Sequence, residues 1–197
     1  LGQLNPYFLV SGAAVTSTST SPTGGTSTLV DAHFPFFSVV GVAGNGTIVE
    51  IFNPTSGTIS LDDYGYATCA DGCDTEGIYD SWHYFTAGTT IEPNGHYVMC
   101  HVSAGDTYIH AACDETLGRL SNGDGIMALA YGDPASYTIV DTIGDPWSSR
   151  SPGTSWTVCG EARGTKVTTT LFRSNCTLGG NFGDWRVEES ADSCTWT

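Results

Sequence analysis

Basic side chains are scarce in this chain: six Lys and Arg, of which Lys166 is the sole lysine, face 21 Asp and Glu, for a formal net charge of −15 over 197 residues. A surface of that sign repels polyanions and acidic bilayers, so nucleic acid is excluded as an expected partner and an anionic membrane surface is disfavoured. No apolar run approaches the roughly 20 residues a membrane helix needs, so no membrane span is expected. An initiator Met and a basic-then-apolar leader are also missing, and the sequence reads as a mature chain. G-x-S-x-G, H-E-x-x-H, G-x-G-x-x-G and a phosphate-binding glycine loop do not occur. His96 and His101 lie five apart in a strand-like run, hence on opposite faces, and His83 and His110 have no nameable partners. No catalytic residue, cofactor or metal is assigned, and the chain is not expected to be an enzyme.

Cysteine is present and spaced unlike a zinc centre. Cys69, Cys73, Cys100, Cys113, Cys159, Cys176 and Cys194 include one C-x3-C pair and no second. Disulfides in an oxidising compartment are the simpler expectation, and with them an extracellular location. Spacing does not fix connectivity; the pairing hypothesis is Cys69–Cys73, Cys100–Cys113 and Cys159–Cys176, with Cys194 left over. Two sequons, Asn45-Gly46-Thr47 and Asn175-Cys176-Thr177, mark Asn45 and Asn175 as N-glycan acceptors, whereas Asn53-Pro54-Thr55 fails through its proline.

Three stretches divide the chain. Residues 1–15 form a strand-like arm with an isolated apolar run, Tyr7, Phe8, Leu9 and Val10. Residues 16–30 form a Ser/Thr-rich linker that cannot bury enough apolar area to offset its ordering entropy. Its hydroxyl residues Thr16, Ser17, Thr18, Ser19, Thr20, Ser21, Thr23, Thr26, Ser27 and Thr28 are the expected O-glycan sites. Residues 31–197 read as one β-sandwich domain, with turn residues recurring between β-branched and aromatic runs. The strands expected there include Thr47–Phe52, Gly95–Val102, Gly125–Tyr131, Tyr137–Ile143, Ser155–Cys159 and Val167–Arg173. Alternation puts Tyr137, Ile139, Asp141 and Ile143 on one face, opposite Thr138, Val140 and Thr142. Asn94-Gly95 and Asn122-Gly123 supply tight turns, and Asp106–Leu117, which lacks breakers, predicts a short helix. Asp62, Asp63, Asp71, Asp74, Glu76 and Asp80 could surround calcium but fit a solvated loop better.

A series of phrases runs from Val49-Glu50-Ile51-Phe52-Asn53-Pro54-Thr55 and Leu61-Asp62-Asp63-Tyr64, through Phe85, Gly88-Thr89-Thr90-Ile91-Glu92-Pro93-Asn94-Gly95 and Tyr97-Val98-Met99. Leu120-Ser121-Asn122-Gly123-Asp124, Ile139–Asp145, Pro152–Trp156, Thr170–Arg173 and Asn181–Trp185 complete it. In this order the phrases resemble the lamin tail domain. The resemblance implies an all-β, immunoglobulin-like β-sandwich with a binding or structural role and no chemistry of its own. Phe37-Ser38-Val39-Val40 stands where that family carries an acidic phrase, and the family's last strand lacks a counterpart. From these features the expected function is an extracellular structural protein, a glycosylated subunit of a filament or surface layer. Its partners are copies of itself, joined head to tail when Tyr7–Val10 completes a neighbour's sandwich. The alternative is a secreted carbohydrate- or calcium-binding adhesion module, with Tyr131, Trp147 and Trp156 as stacking platforms.

Overall fold

Strands form where β-branched and aromatic residues run between glycine turns. In the computed structural model, residues 34–43, 46–69, 73–75, 78–105, 110–120, 125–143, 157–158, 161–162, 171–173 and 185–187 are described. They belong to the unit Asp31–Thr197, the chain's other unit being Leu1–Val30. The described part is all-β. Its strands are β1 (Phe36–Ala43), β2 (Gly46–Phe52), β3 (Ile59–Ser60), β4 (Tyr64–Cys69), β5 (Ser81–Tyr84), β6 (Thr90–Ile91), β7 (His96–His101), β8 (Glu115–Leu117), β9 (Ile126–Asp133), β10 (Ser136–Ile143), β11 (Thr157–Val158), β12 (Glu161–Ala162), β13 (Leu171–Arg173) and β14 (Trp185–Val187).

A six-stranded sheet runs β14-β13-β1-β2-β7-β8 and a four-stranded sheet runs β10-β9-β4-β5; β11-β12 and β3-β6 form small ladders. Every pairing is antiparallel except β7–β8. The two larger sheets contribute to one apolar cluster: Phe37, Val49, Ile51 and Met99 from the first, Tyr66, Met127, Leu129 and Ile143 from the second. Burying one Leu or Phe there contributes about 1.5–3 kcal/mol relative to leaving it in water.

Two expectations are corrected. The alternation in Tyr137–Ile143 breaks, because the register with β9 shifts between Ile139 and Asp141. That bulge inserts Val140 as an extra residue and exchanges the faces beyond it. Tyr137 therefore meets Tyr79 and Trp82 on the outer surface, while Ile143 enters the core and Asp141, 1% exposed, accepts a hydrogen bond from Phe37 N at 2.8 Å. The short helix expected within Asp106–Leu117 is met at 110–111, with 106–109 outside the described residues, but Glu115–Leu117 is a strand parallel to β7. Local propensity lost there to a tertiary constraint. Cys113 is disulfide-bonded to Cys100 of β7, with Cα atoms 5.9 Å apart, and Asp114 N and its carboxylate bond Val98 O and Val98 N. The segment is thereby laid along the edge of β7.

Candidate functional site

The side of the domain where β5 and β8 end their sheets gathers the most chemistry. β5 reads Ser81-Trp82-His83-Tyr84 and among the described residues pairs only with β4. Strand alternation turns His83 inward with its partner Tyr66, and Trp82 and Tyr84 outward with Ala67 and Gly65. The inward His83 Nε2 stands 3.1 Å from Glu115 Oε1 on β8, and the second oxygen of Glu115 accepts from the Tyr97 hydroxyl at 3.1 Å. One carboxylate thus stands between the edges of the two sheets, hydrogen-bonded to Tyr97 and within ion-pair distance of His83, whose Nε2 is buried and misaligned for a hydrogen bond, over a floor of Phe85, whose ring meets both His83 and Tyr97 edge-on. Burial, with the neighbouring Glu115 charge second, pushes the Tyr97 phenol well above its ordinary value.

Outside β5 the rings of Tyr79, Trp82, Tyr84 and Tyr137 form a connected group with centroids 5.4–6.4 Å apart. The outward positions beneath them are small: Gly65 and Ala67 on β4, Ala128 and Ala130 on β9. The Trp82 indole lies so close over Gly65 that a Cβ there would strike it. Trp82 Nε1 and the Tyr79 hydroxyl are buried without a hydrogen-bond partner, and burial, followed by Tyr137, raises the Tyr79 phenol far above its usual range.

A second polar group sits on the outer face of the six-stranded sheet, where β1, β2 and β7 run side by side. Glu50 Oε1 accepts from the Ser38 hydroxyl at 2.6 Å and lies 3.0 Å from His96 Nδ1. The Phe52 ring flanks His96 at 4.9 Å. Activating a serine requires the imidazole between hydroxyl and carboxylate. Here the carboxylate is in the middle, so Ser38 has no proton route to His96 and the arrangement fixes three side chains instead. The Glu50 hydrogen bond raises the His96 pKa above 6.5 against the opposing effect of burial.

Among the described residues the carboxylates of the 62–80 region form no metal-holding group. Asp62 accepts from Gly88 N and, second, from the Ser60 hydroxyl, which lowers its pKa. Asp74 and Asp80 are exposed, and Asp71 and Glu76 lie outside the described residues. Among the described residues no three His, Cys, Asp or Glu side chains are grouped to hold a metal ion, and no helix is long and apolar enough to cross a membrane. Cys69 is disulfide-bonded to Cys73. Tyr131 is exposed and meets Tyr64 edge-on. The arm residues Tyr7–Val10, the tract Thr16–Thr28, Asn45, Asn175, Cys159, Cys176, Cys194, Trp147 and Trp156 lie outside the described residues.

Sequence reasoning missed the His83–Glu115 and Glu50–His96 pairs. Their members are 32 and 46 residues apart (115 − 83; 96 − 50), and only strand register brings them together. No family model matches the chain, and no curated protein and no solved structure is significantly similar to it.

Proposed function

We propose that the chain is an extracellular structural protein, a glycosylated subunit of a filament or surface layer. Its domain would be an immunoglobulin-like sandwich of the lamin tail kind, and its N-terminal arm would join it to the next copy. The observation that carries this reading is the division of the chain into the units Leu1–Val30 and Asp31–Thr197, the described residues of the second being all-β and stapled by two disulfides. The disulfides support an oxidising, extracellular setting. N-glycans on Asn45 and Asn175 would coat the domain, and O-glycans across Thr16–Thr28 would keep the linker extended. Sedimentation of native protein without added ligand tests the reading: multimers are expected, and a stable monomer at every concentration counts against it.

A carbohydrate-binding module is the second reading, favoured by the ring group around Trp82, whose outer member Tyr84 is 53% exposed. Retardation of the protein in gels containing neutral polysaccharide, abolished by Trp82→Ala, would move the balance to it.

A further inference from the structure

An edge strand offers a row of unpaired N–H and C=O groups, and proteins guard such edges with charge, proline, bulges or brevity. The edges here are guarded unequally. β10 carries its bulge, and β8 has three residues, one of them Glu115. β5 is uncharged, proline-free and paired to β4 in unbroken register.

The direction of its backbone groups follows from the ladder. Gly132 N donates to Asp63 O at 2.8 Å, and Asp63 immediately precedes Tyr64, which faces Tyr131 of β9. Antiparallel alternation then turns the backbone groups of Gly65 and Ala67 toward β9 and those of Tyr66 and Thr68 toward β5. Tyr66 faces His83 and Thr68 faces Ser81, so His83 and Ser81 bond inward. Trp82 and Tyr84 direct their N–H and C=O groups away from the sheet. His83 of this strand also stands 3.1 Å from Glu115 of β8, so the edge lies against the other sheet.

We propose that β5 is the acceptor edge on which Tyr7–Val10 of a second copy pairs, as a fifth strand of the four-stranded sheet. This rests on the arm-mediated assembly proposed above and names its docking surface. Charge selects the occupant. Residues 1–30 contain no Asp, Glu, Lys or Arg, so the whole net charge of −15 lies in residues 31–197. Two domains repel, whereas the arm is a neutral segment able to approach one. The run Tyr7-Phe8-Leu9-Val10 equals β5 in length at four residues. Tyr84, 53% exposed, offers apolar surface on the edge strand itself. The linker Thr16–Thr28 reaches up to roughly 40 Å when extended, so the donor can belong to another molecule.

The test uses the full chain and two kinds of variant. Phe8→Asp with Leu9→Asp alters both faces of the arm. Tyr84→Pro removes one outward N–H at a position where an edge strand tolerates proline, and Tyr84→Lys adds a guarding charge. Association is read by sedimentation, and backbone protection at Trp82 and Tyr84 by hydrogen exchange. Wild type should associate with both amides protected. The arm variant should be monomeric and unprotected, and the Tyr84 variants should associate roughly tenfold more weakly or worse. If Tyr84→Pro loses the fold by circular dichroism, Tyr84→Lys decides. An arm variant that still associates overturns the arm reading and the proposal with it. A monomeric arm variant beside Tyr84 variants that associate like wild type overturns the β5 assignment alone. Protected Trp82 and Tyr84 amides in a monomer would mean that the arm fills its own edge, which also overturns pairing between copies.

Discussion

Asn53 braces a corner of the domain with a single polar side chain. It is fully buried, its Nδ2 donates to Gly57 O, Ile91 O and Glu92 O at 2.7–3.1 Å, and its Oδ1 accepts from the Thr55 amide and hydroxyl. Its own N–H and C=O bond Gly95 O and Asn94 N. The Asn-Pro-Thr phrase, which fails as a sequon, is therefore a corner brace that holds 53–57 against 91–95. Asn94 completes the corner in the left-handed region at φ 56°, where Asn is tolerated and β-branched residues are not. Asn53→Ala leaves the buried Ile91 O without its donor, at about 1–3 kcal/mol before relaxation, and removes the part-buried bonds to Gly57, Glu92 and Thr55, so a loss of about 1–3 kcal/mol in urea unfolding is expected; a change below about 0.5 kcal/mol would contradict the brace. His96 allows a pH prediction. Its folded pKa is raised by Glu50, so its pairing stabilises fully below the unfolded value near 6.5 and is lost as pH rises through the higher folded value. The melting temperature of wild type should exceed that of His96→Gln most at pH 5.5–6 and least above pH 8. A gap that widens with rising pH would refute the pairing.

At the scale of elements, what was legible in the sequence was what depends on near neighbours. Gly95–Val102 and Thr47–Phe52 read correctly as strands because their β-branched and aromatic runs end in turn residues, and they are β7 and β2 within a residue at each end. β5 escaped notice because Ser81-Trp82-His83-Tyr84 carries a single polar–apolar alternation and no β-branched residue. The β10 bulge was illegible for a different reason. Val140 fits either face by hydropathy, and only the demand that Asp141 meet Phe37 N decides which it takes. The parallel β8 reflects long-range constraint as well, since its residues are placed by Cys100–Cys113 and by the Asp114 bonds to Val98. Replacing Cys100 and Cys113 together by Ala opens a loop of sequence separation 13, which should cost about 2–3 kcal/mol. Hydrogen exchange should then quicken at β8 while β9 stays protected; uniform quickening would show that β8 is no independent unit.

For the whole molecule, the all-β unit and its acid surplus were legible from turn spacing and composition, whereas the side-chain pairs that join its sheets were not. Tyr66, Leu129 and Phe37 announce a core by hydropathy. Glu115 reads as an ordinary surface acid until β8 is laid beside β7 and opposite β5. That junction bears on the proposed assembly, because a β5 edge whose His83 stands against Glu115 of β8 loses less freedom when another strand adds to it than an edge standing alone. Glu115→Gln keeps the Tyr97 contact and removes the charge facing His83. The domain should stay folded while self-association weakens severalfold; unchanged association would show that the His83 contact does not prepare the edge.

The central claim, that this is a structural subunit joined through its arm, is tested most directly by electron microscopy of native protein beside the Phe8→Asp, Leu9→Asp variant. The account predicts filaments or an ordered layer from the native chain without ligand and isolated particles from the variant. Isolated particles from both, or identical assemblies from both, would contradict it.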